Sequence, residues 1–203
     1  MSEKYQNRYR IKSARLQGYD YTNLGLYFIT ICTKNRECYF GNIIDNKMQL
    51  SNIGVLADVF WHEIKNHSKN IELHEFIVMP NHIHGILEIV DGDVGVANGV
   101  DIVETIHASS LPSQPSPPQS PPNNKNHQMA KISPKSGSVS RVIGSYKSAV
   151  SKHAHRLGYE FDWQTRFHDH IIRKDNDYIR ISNYILNNPK NWDNDKFNKL
   201  QEY

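Results

Sequence analysis

The sequence predicts an α+β fold, an antiparallel sheet with helices packed on it. Runs of β-branched and aromatic residues read as strands, at Leu26–Thr33, Glu72–Val78 and His82–Val90. Between and after them lie stretches whose apolar residues recur at helical spacing. The resulting order is strand, hairpin, helix, strand, strand, insertion, helix, extended segment, helix. An α+β sandwich of ferredoxin-like type accommodates that order.

Residues 1–18 carry Lys4, Arg8, Arg10, Lys12 and Arg15 with little apolar content. They read as a basic arm, either a solvated tail or a contact for phosphate groups. Leu26-Tyr27-Phe28-Ile29-Thr30-Ile31-Cys32-Thr33 is the first core strand. Cys38–Gly41 and Lys47–Leu50 flank Asp45-Asn46, which reads as a hairpin turn. Ser51 or Asn52 is placed to cap a helix running to about His67, with Ile53, Leu56, Phe60 and Ile64 on its apolar face. Glu72–Val78 and His82–Val90 follow, joined by a bend at Met79-Pro80-Asn81.

From Asp91 to Gly137 the periodicity is lost, and seven of the nine prolines fall between Pro112 and Pro134. Such a composition buries too little apolar surface to offset the entropy of ordering. The segment 91–137 is expected to be a disordered Pro/Ser-rich insertion within a single domain spanning 1–203, because neither flank looks complete alone. In the second half, 138–203, a helix runs from Ser138 to about Leu157-Gly158. Val139, Val142, Ile143, Tyr146 and Val150 form one of its faces, and Arg141, Lys147, Lys152 and Arg156 form a basic stripe on the other. Trp163–Arg173 mixes aromatic, cationic and β-branched residues and reads as partly extended. Asp175 or Asn176 caps a last helix, which Pro189 stops.

The totals exclude some classes. An apolar fraction of 38% is low for a compact domain, and the insertion accounts for much of that. The net charge of +3 permits a polyanionic partner without requiring one. Cys32 and Cys38, the only cysteines, make neither a disulfide framework nor a zinc ribbon. The N-terminus lacks an apolar signal region and no run approaches a membrane span, so a cytoplasmic protein with no membrane partner is expected.

The stretch Val78-Met79-Pro80-Asn81-His82-Ile83-His84-Gly85-Ile86-Leu87 carries the chemistry. On a strand, residues two apart share a face, so His82 and His84 would present adjacent imidazoles, a geometry suited to a divalent metal. Taken alone the pair is weak, because eleven histidines make chance spacing common. In the last helix Ile181, Tyr184, Ile185 and Asn188 share one stripe, placing a phenol and an amide one turn apart. Beside two imidazoles they would make a phosphodiester-cleaving site, with the amide oxygen as third ligand and the tyrosine attacking phosphorus. Periodicity alone favours a tyrosine packed in the core with its hydroxyl satisfied, and Asn188 before Pro189 fits a helix-ending residue equally well. Tyr178, six residues earlier, is the rival nucleophile, about 120° around the helix from Tyr184.

Met79-Pro80-Asn81-His82-Ile83-His84-Gly85-Ile86, followed by Trp163-Gln164, Arg166-Phe167, Asp169-His170-Ile171-Ile172-Arg173, Asn183-Tyr184-Ile185 and Asn187-Asn188-Pro189, resembles the signatures of the REP-associated tyrosine transposases. These are single-tyrosine HUH transposases of the insertion-sequence-200 type. The likeness runs from about Gly18 to Trp192, leaving out 91–137. It implies an HUH nuclease core with Mg²⁺ or Mn²⁺ held at His82, His84 and Asn188. It also implies Tyr184 as the nucleophile forming a 5′-phosphotyrosine bond, and single-stranded DNA beside hairpins as substrate. The same likeness places His170 in a segment that lines the site or touches DNA. Arg166 and Arg173, with the stripe Arg141, Lys147 and Lys152 and the arm residue Arg15, are the candidate phosphate contacts. The wider family includes monomers and homodimers that exchange the tyrosine helix. Two other readings stand beside this one, a domesticated hairpin-DNA-binding protein that no longer cuts and a small metal-dependent phosphoesterase. A histidine-triad hydrolase would want a third alternating histidine where the sequence has Ile86.

Overall fold

The structure, a computed structural model, describes residues 19–91 and 134–198 together with residues 4–5 and 8–9, which form a short antiparallel pair. Arg15 and most of the basic arm lie outside the described residues, as do residues 92–133 of the expected insertion.

Strand β1 (Gly25–Cys32) opens the core. The hairpin follows as β2 (Gly41–Ile44) and β3 (Lys47–Leu50), somewhat later than expected because Cys38–Phe40 is not extended into the ladder. Its turn residues Asp45 and Asn46 take φ of 50° and 59°, the left-handed values that a two-residue hairpin turn demands and that Asp and Asn tolerate. Ser51 caps helix α1 (Asn52–His62), its hydroxyl accepting from the Gly54 N–H at 3.1 Å. A short α2 (Ile64–His67) completes the predicted run.

Strands β4 (Ile71–Met79) and β5 (His82–Ile89) are joined by the tight turn at Pro80-Asn81. In the second half come α3 (Val139–Arg156), β6 (His168–Ile172) and α4 (Asp175–Asn187), then a 3-10 turn over Asn188–Asn194. Ser138 caps α3, and Gly158, with φ of +82°, follows its C-terminus in the left-handed conformation glycine adopts freely. The expected cap of α4 is corrected. Lys174 occupies the capping position with no side-chain bond, while Asp175 and Asp177 sit in the first turn, where their charge complements the helix dipole.

The main sheet has the order β4-β5-β1-β6 with every neighbouring pair antiparallel. Together with the two helical crossovers this is the ferredoxin-like arrangement. Both halves of the chain therefore build one sheet, since β6 pairs with β1. Alternation divides its residues cleanly. Tyr27, Ile29, Ile31, Ile83 and Leu87 point to one face and pack under α1 and α3 with Trp61, Val142, Ile143, Tyr146 and Val150. Leu26, Phe28, Ile86 and Ile172 point to the other and pack under α4 with Ile181 and Ile185. Gly85 matters here for space. The Trp61 indole lies so close that a Cβ at Gly85 would come within 2.3 Å of it, so the residue after the histidine pair must lack a side chain.

Candidate active site

His82 and His84 lie on β5 facing α4, in register with Cys32 and Thr30 of β1. Their ring centroids are 4.5 Å apart, and the residues are 0% and 1% exposed. Each ring is held by its Nδ1. The Asn81 side chain donates its two amide hydrogens to the backbone carbonyls of Arg36, at 3.1 Å, and Phe197, at 2.8 Å. That fixes which end of the amide is oxygen. Oδ1 therefore faces His82 Nδ1 at 2.9 Å and accepts from it, which leaves the lone pair of His82 on Nε2. Thr30 Oγ1 is 2.9 Å from His84 Nδ1 and plays the corresponding part.

Helix α4 brings the phenol to this pair. Ile181 and Ile185 are buried against the sheet, and on the flank of that stripe the Tyr184 hydroxyl reaches His84 Nε2 at 3.1 Å. The two rings are 5.2 Å apart, with Phe28 edge-on to the phenol. Burial pushes the Tyr184 pKa above its ordinary 10, and the Asp195 carboxylate adds to the shift, so the free hydroxyl is a donor and not a phenolate. Tyr178 is directed elsewhere, with its hydroxyl 3.0 Å from Glu75 Oε2 and 3.3 Å from His74 Nδ1. Burial first, and then the Glu75 carboxylate, raise its pKa too.

Asn188 follows α4 directly and is 1% exposed; its Oδ1 and Nδ2 meet no partner at good hydrogen-bond geometry, and the amide lies near enough to the Tyr184 hydroxyl to offset part of the rise in its pKa. His82 Nε2 is likewise buried and unpartnered. Buried polar atoms without partners are costly and uncommon, and a bound group is one way to satisfy them. An imidazole nitrogen, an amide oxygen and His84 Nε2 are a donor set that suits Mg²⁺ or Mn²⁺ with water completing the shell. Burial holds both histidine pKa values down, His84 to about 3, so neither ring carries a proton that would compete with a cation at neutral pH. Among the described residues no three His, Cys, Asp or Glu side chains converge on a metal position.

A lid of aromatic residues completes the site. The Phe197 ring is 4.5 Å from His82 and 6.0 Å from His84, and Trp192 is 6.1 Å from His82. Cys32, in register with His82, is buried, and burial raises its thiol to about 11, which keeps it protonated and out of the donor set.

The predicted contact residues divide. His170 sits exposed on β6, on the same sheet face as the histidine pair, paired with Phe28. Arg166 and Arg173 are exposed on either side of β6. Arg141, Lys147 and Lys152 belong to α3, which covers the opposite face of the sheet, so they are not gathered at the histidines. Lys147 is committed internally, donating to the carbonyls of Gln164 at 2.7 Å and Thr165 at 3.3 Å and lying over the Trp163 ring. Sequence reasoning missed Thr30, Asn81, Trp192 and Phe197. Asn81 stood inside the histidine motif and was the one with a visible signal.

In fold, the chain is similar to a REP-associated tyrosine transposase solved in complex with a REP hairpin. The match has a TM-score of 0.50 and 20% identity, and covers 95% of this chain and 74% of that one. That is the kind of protein whose motifs the sequence resembles. No family model matches the chain. An uncharacterized protein of Haemophilus influenzae (strain Rd) is 34% identical over 186 residues, covering 91% of each chain, and the chain belongs to the family of that protein. Among the described residues no helix is long and apolar enough to cross a membrane.

Proposed function

We propose that this chain is a metal-dependent transposase-type nuclease that cuts and rejoins single-stranded DNA beside hairpins through a tyrosine–DNA intermediate. The observation that carries the reading is the approach of Tyr184 Oη to His84 Nε2 at 3.1 Å, with the His82 ring 4.5 Å from that of His84 and the Asn188 amide near the same phenol. His82, His84 and the Asn188 oxygen would hold Mg²⁺ or Mn²⁺. Once bound, that ion would polarise the scissile phosphate and offset the charge that builds up on it. The chain's own groups do the rest. Asn81 and Thr30 orient the imidazoles, and Ile181 and Ile185 seat the helix. In the free chain His84 Nε2 accepts from the phenol, which keeps the phenol oxygen beside the histidine pair; with an ion on that nitrogen the hydrogen bond would be given up, and the phenol proton would pass in the end to the departing 3′-oxygen. Attack by that oxygen on phosphorus forms the phosphotyrosine and releases a 3′-hydroxyl, so the bond energy is kept for rejoining. The phenol reaches the histidines within one chain, so the reading needs no second copy, and a single domain over 1–203 agrees with both halves sharing one sheet.

The test is a labelled single strand bearing a hairpin, incubated with Mn²⁺ and then denatured. A covalent protein–DNA adduct should form with the native chain and disappear in Tyr184→Phe, with DNA binding retained. An adduct that persists in that variant removes the assignment. One observation favours a hairpin-binding protein that does not cut, namely the closure of both imidazoles under Phe197. Binding by the native chain without any adduct would decide for it.

A further inference from the structure

We propose that Arg36 and Lys196 form a phosphate clamp at the mouth of the histidine site, gripping phosphodiester groups of the single strand adjacent to the one cut. This rests on the functional reading above. Both residues are exposed, yet both are built into the rim. The Arg36 guanidinium carbon lies 5.2 Å from the Phe197 ring centroid and Lys196 Nζ lies 5.0 Å from it, while that same ring is 4.5 Å from His82. Each cation thus stands one aromatic ring away from the proposed cutting position.

The backbone behind Arg36 is specialised. Asn35 and Arg36 take φ of 53° and 57°, two successive left-handed residues of which neither is glycine. Such strain persists where the surroundings impose it, and here they do. Thr33 Oγ1 donates to the Glu37 carbonyl at 2.7 Å, and the Asn81 amide donates to the Arg36 carbonyl at 3.1 Å. The residue that sets His82 therefore also sets Arg36. Among the described residues one guanidinium nitrogen is engaged, NH1 donating to the Lys196 carbonyl at 3.1 Å, which ties the two clamp residues together. Neither side chain forms an ion pair among the described residues. Asp195, the acidic neighbour, turns its Oδ1 to the Phe197 backbone N–H at 2.7 Å. A planar fork and a point charge, neither paired with a carboxylate among the described residues and both beside the same site, suit phosphate oxygens.

The clamp is tested by the salt dependence of binding to a hairpin-bearing single strand, measured by fluorescence anisotropy in EDTA so that nothing is cut. Each phosphate contact on a single strand contributes about 0.7 to the slope of log affinity against log salt. Arg36→Gln and Lys196→Gln should each flatten that slope by about 0.7 and the double variant by about 1.4. Arg36→Lys should keep it. Arg36→Gly, which accepts the left-handed backbone without strain, should behave as Arg36→Gln does. Lys69→Gln, at the opposite end of β4, should leave the slope unchanged. Native binding with an unaltered slope in the double variant, or an equal loss in Lys69→Gln, overturns the clamp and leaves the nuclease reading standing. Failure of the native chain to bind the strand overturns both.

Discussion

Asn81 shows how much one buried amide decides. Its three hydrogen bonds fix the tautomer of His82, the carbonyl of Arg36 and the carbonyl of Phe197. Partners that orient a ligating imidazole typically change metal affinity about 10- to 100-fold when removed. Asn81→Ala should weaken Mn²⁺ binding within that range in isothermal titration, and an unchanged affinity would show that His82 is positioned without it. The buried histidines also set a pH dependence. With its pKa lowered from 6.5 to about 3 by burial, His84 binds fewer protons folded than unfolded between those values. Stability is therefore complete above the unfolded pKa and falls as pH drops below it, and His82 acts in the same direction. In metal-free protein the urea midpoint should decline from pH 7 towards pH 4. His84→Gln should show a shallower decline, and matching slopes in the two proteins would count against a buried neutral ring.

At the scale of elements, the segment after α4 acts on the site as much as α4 does. Phe197 is 8% exposed and its ring covers both imidazoles, so reagents reach Nε2 only when that segment shifts. Phe197→Ala should speed modification of His82 and His84 by diethyl pyrocarbonate several-fold, read by peptide mass spectrometry, and an unchanged rate would show that access lies elsewhere. Strand β5 was legible because its alternation places His82 and His84 together whatever packs above. Helix α4 was legible because Ile181 and Ile185 mark its buried stripe; that stripe put Tyr184 and Asn188 one turn apart, but only the family resemblance singled them out. The lid was not legible. Phe197 meets Asn81 across 116 positions of sequence, and no periodicity announces a contact made by a 3-10 turn and a loop. The placement of the basic stripe of α3 was not legible for a related reason: helical spacing shows that Arg141, Lys147 and Lys152 share a side of the helix, but not which face of the sheet that helix covers. Thr30 lay hidden in the first strand run, where a β-branched residue needs no further explanation.

On the scale of the whole molecule, the two halves meet at both ends of the sheet. At the histidine end, Lys34 pairs with Asp162 at 2.8 Å and the Thr33 backbone bridges to Trp163. At the other end, Asn70 accepts from the Val90 N–H at 3.0 Å and donates to the Gly137 carbonyl at 3.2 Å. The chain thus departs after residue 91 and is back by residue 137 beside the same asparagine, and Lys135 pairs with Asp20 close by at 2.6 Å. Every group proposed for catalysis sits at the opposite end of β4 and β5. Replacing residues 92–133 by a short Gly/Ser linker should therefore preserve the fold. Loop-closure entropy grows only with the logarithm of length, by about 0.6 kcal/mol per doubling, so the shortened chain should gain on the order of 1 kcal/mol in stability. Adduct formation with a hairpin-bearing strand in Mn²⁺ should continue at a rate within about two-fold of native. Loss of the adduct while the urea midpoint stays level would place residues 92–133 in contact with DNA, and loss of the midpoint itself would make them part of the core that the sheet alone does not account for.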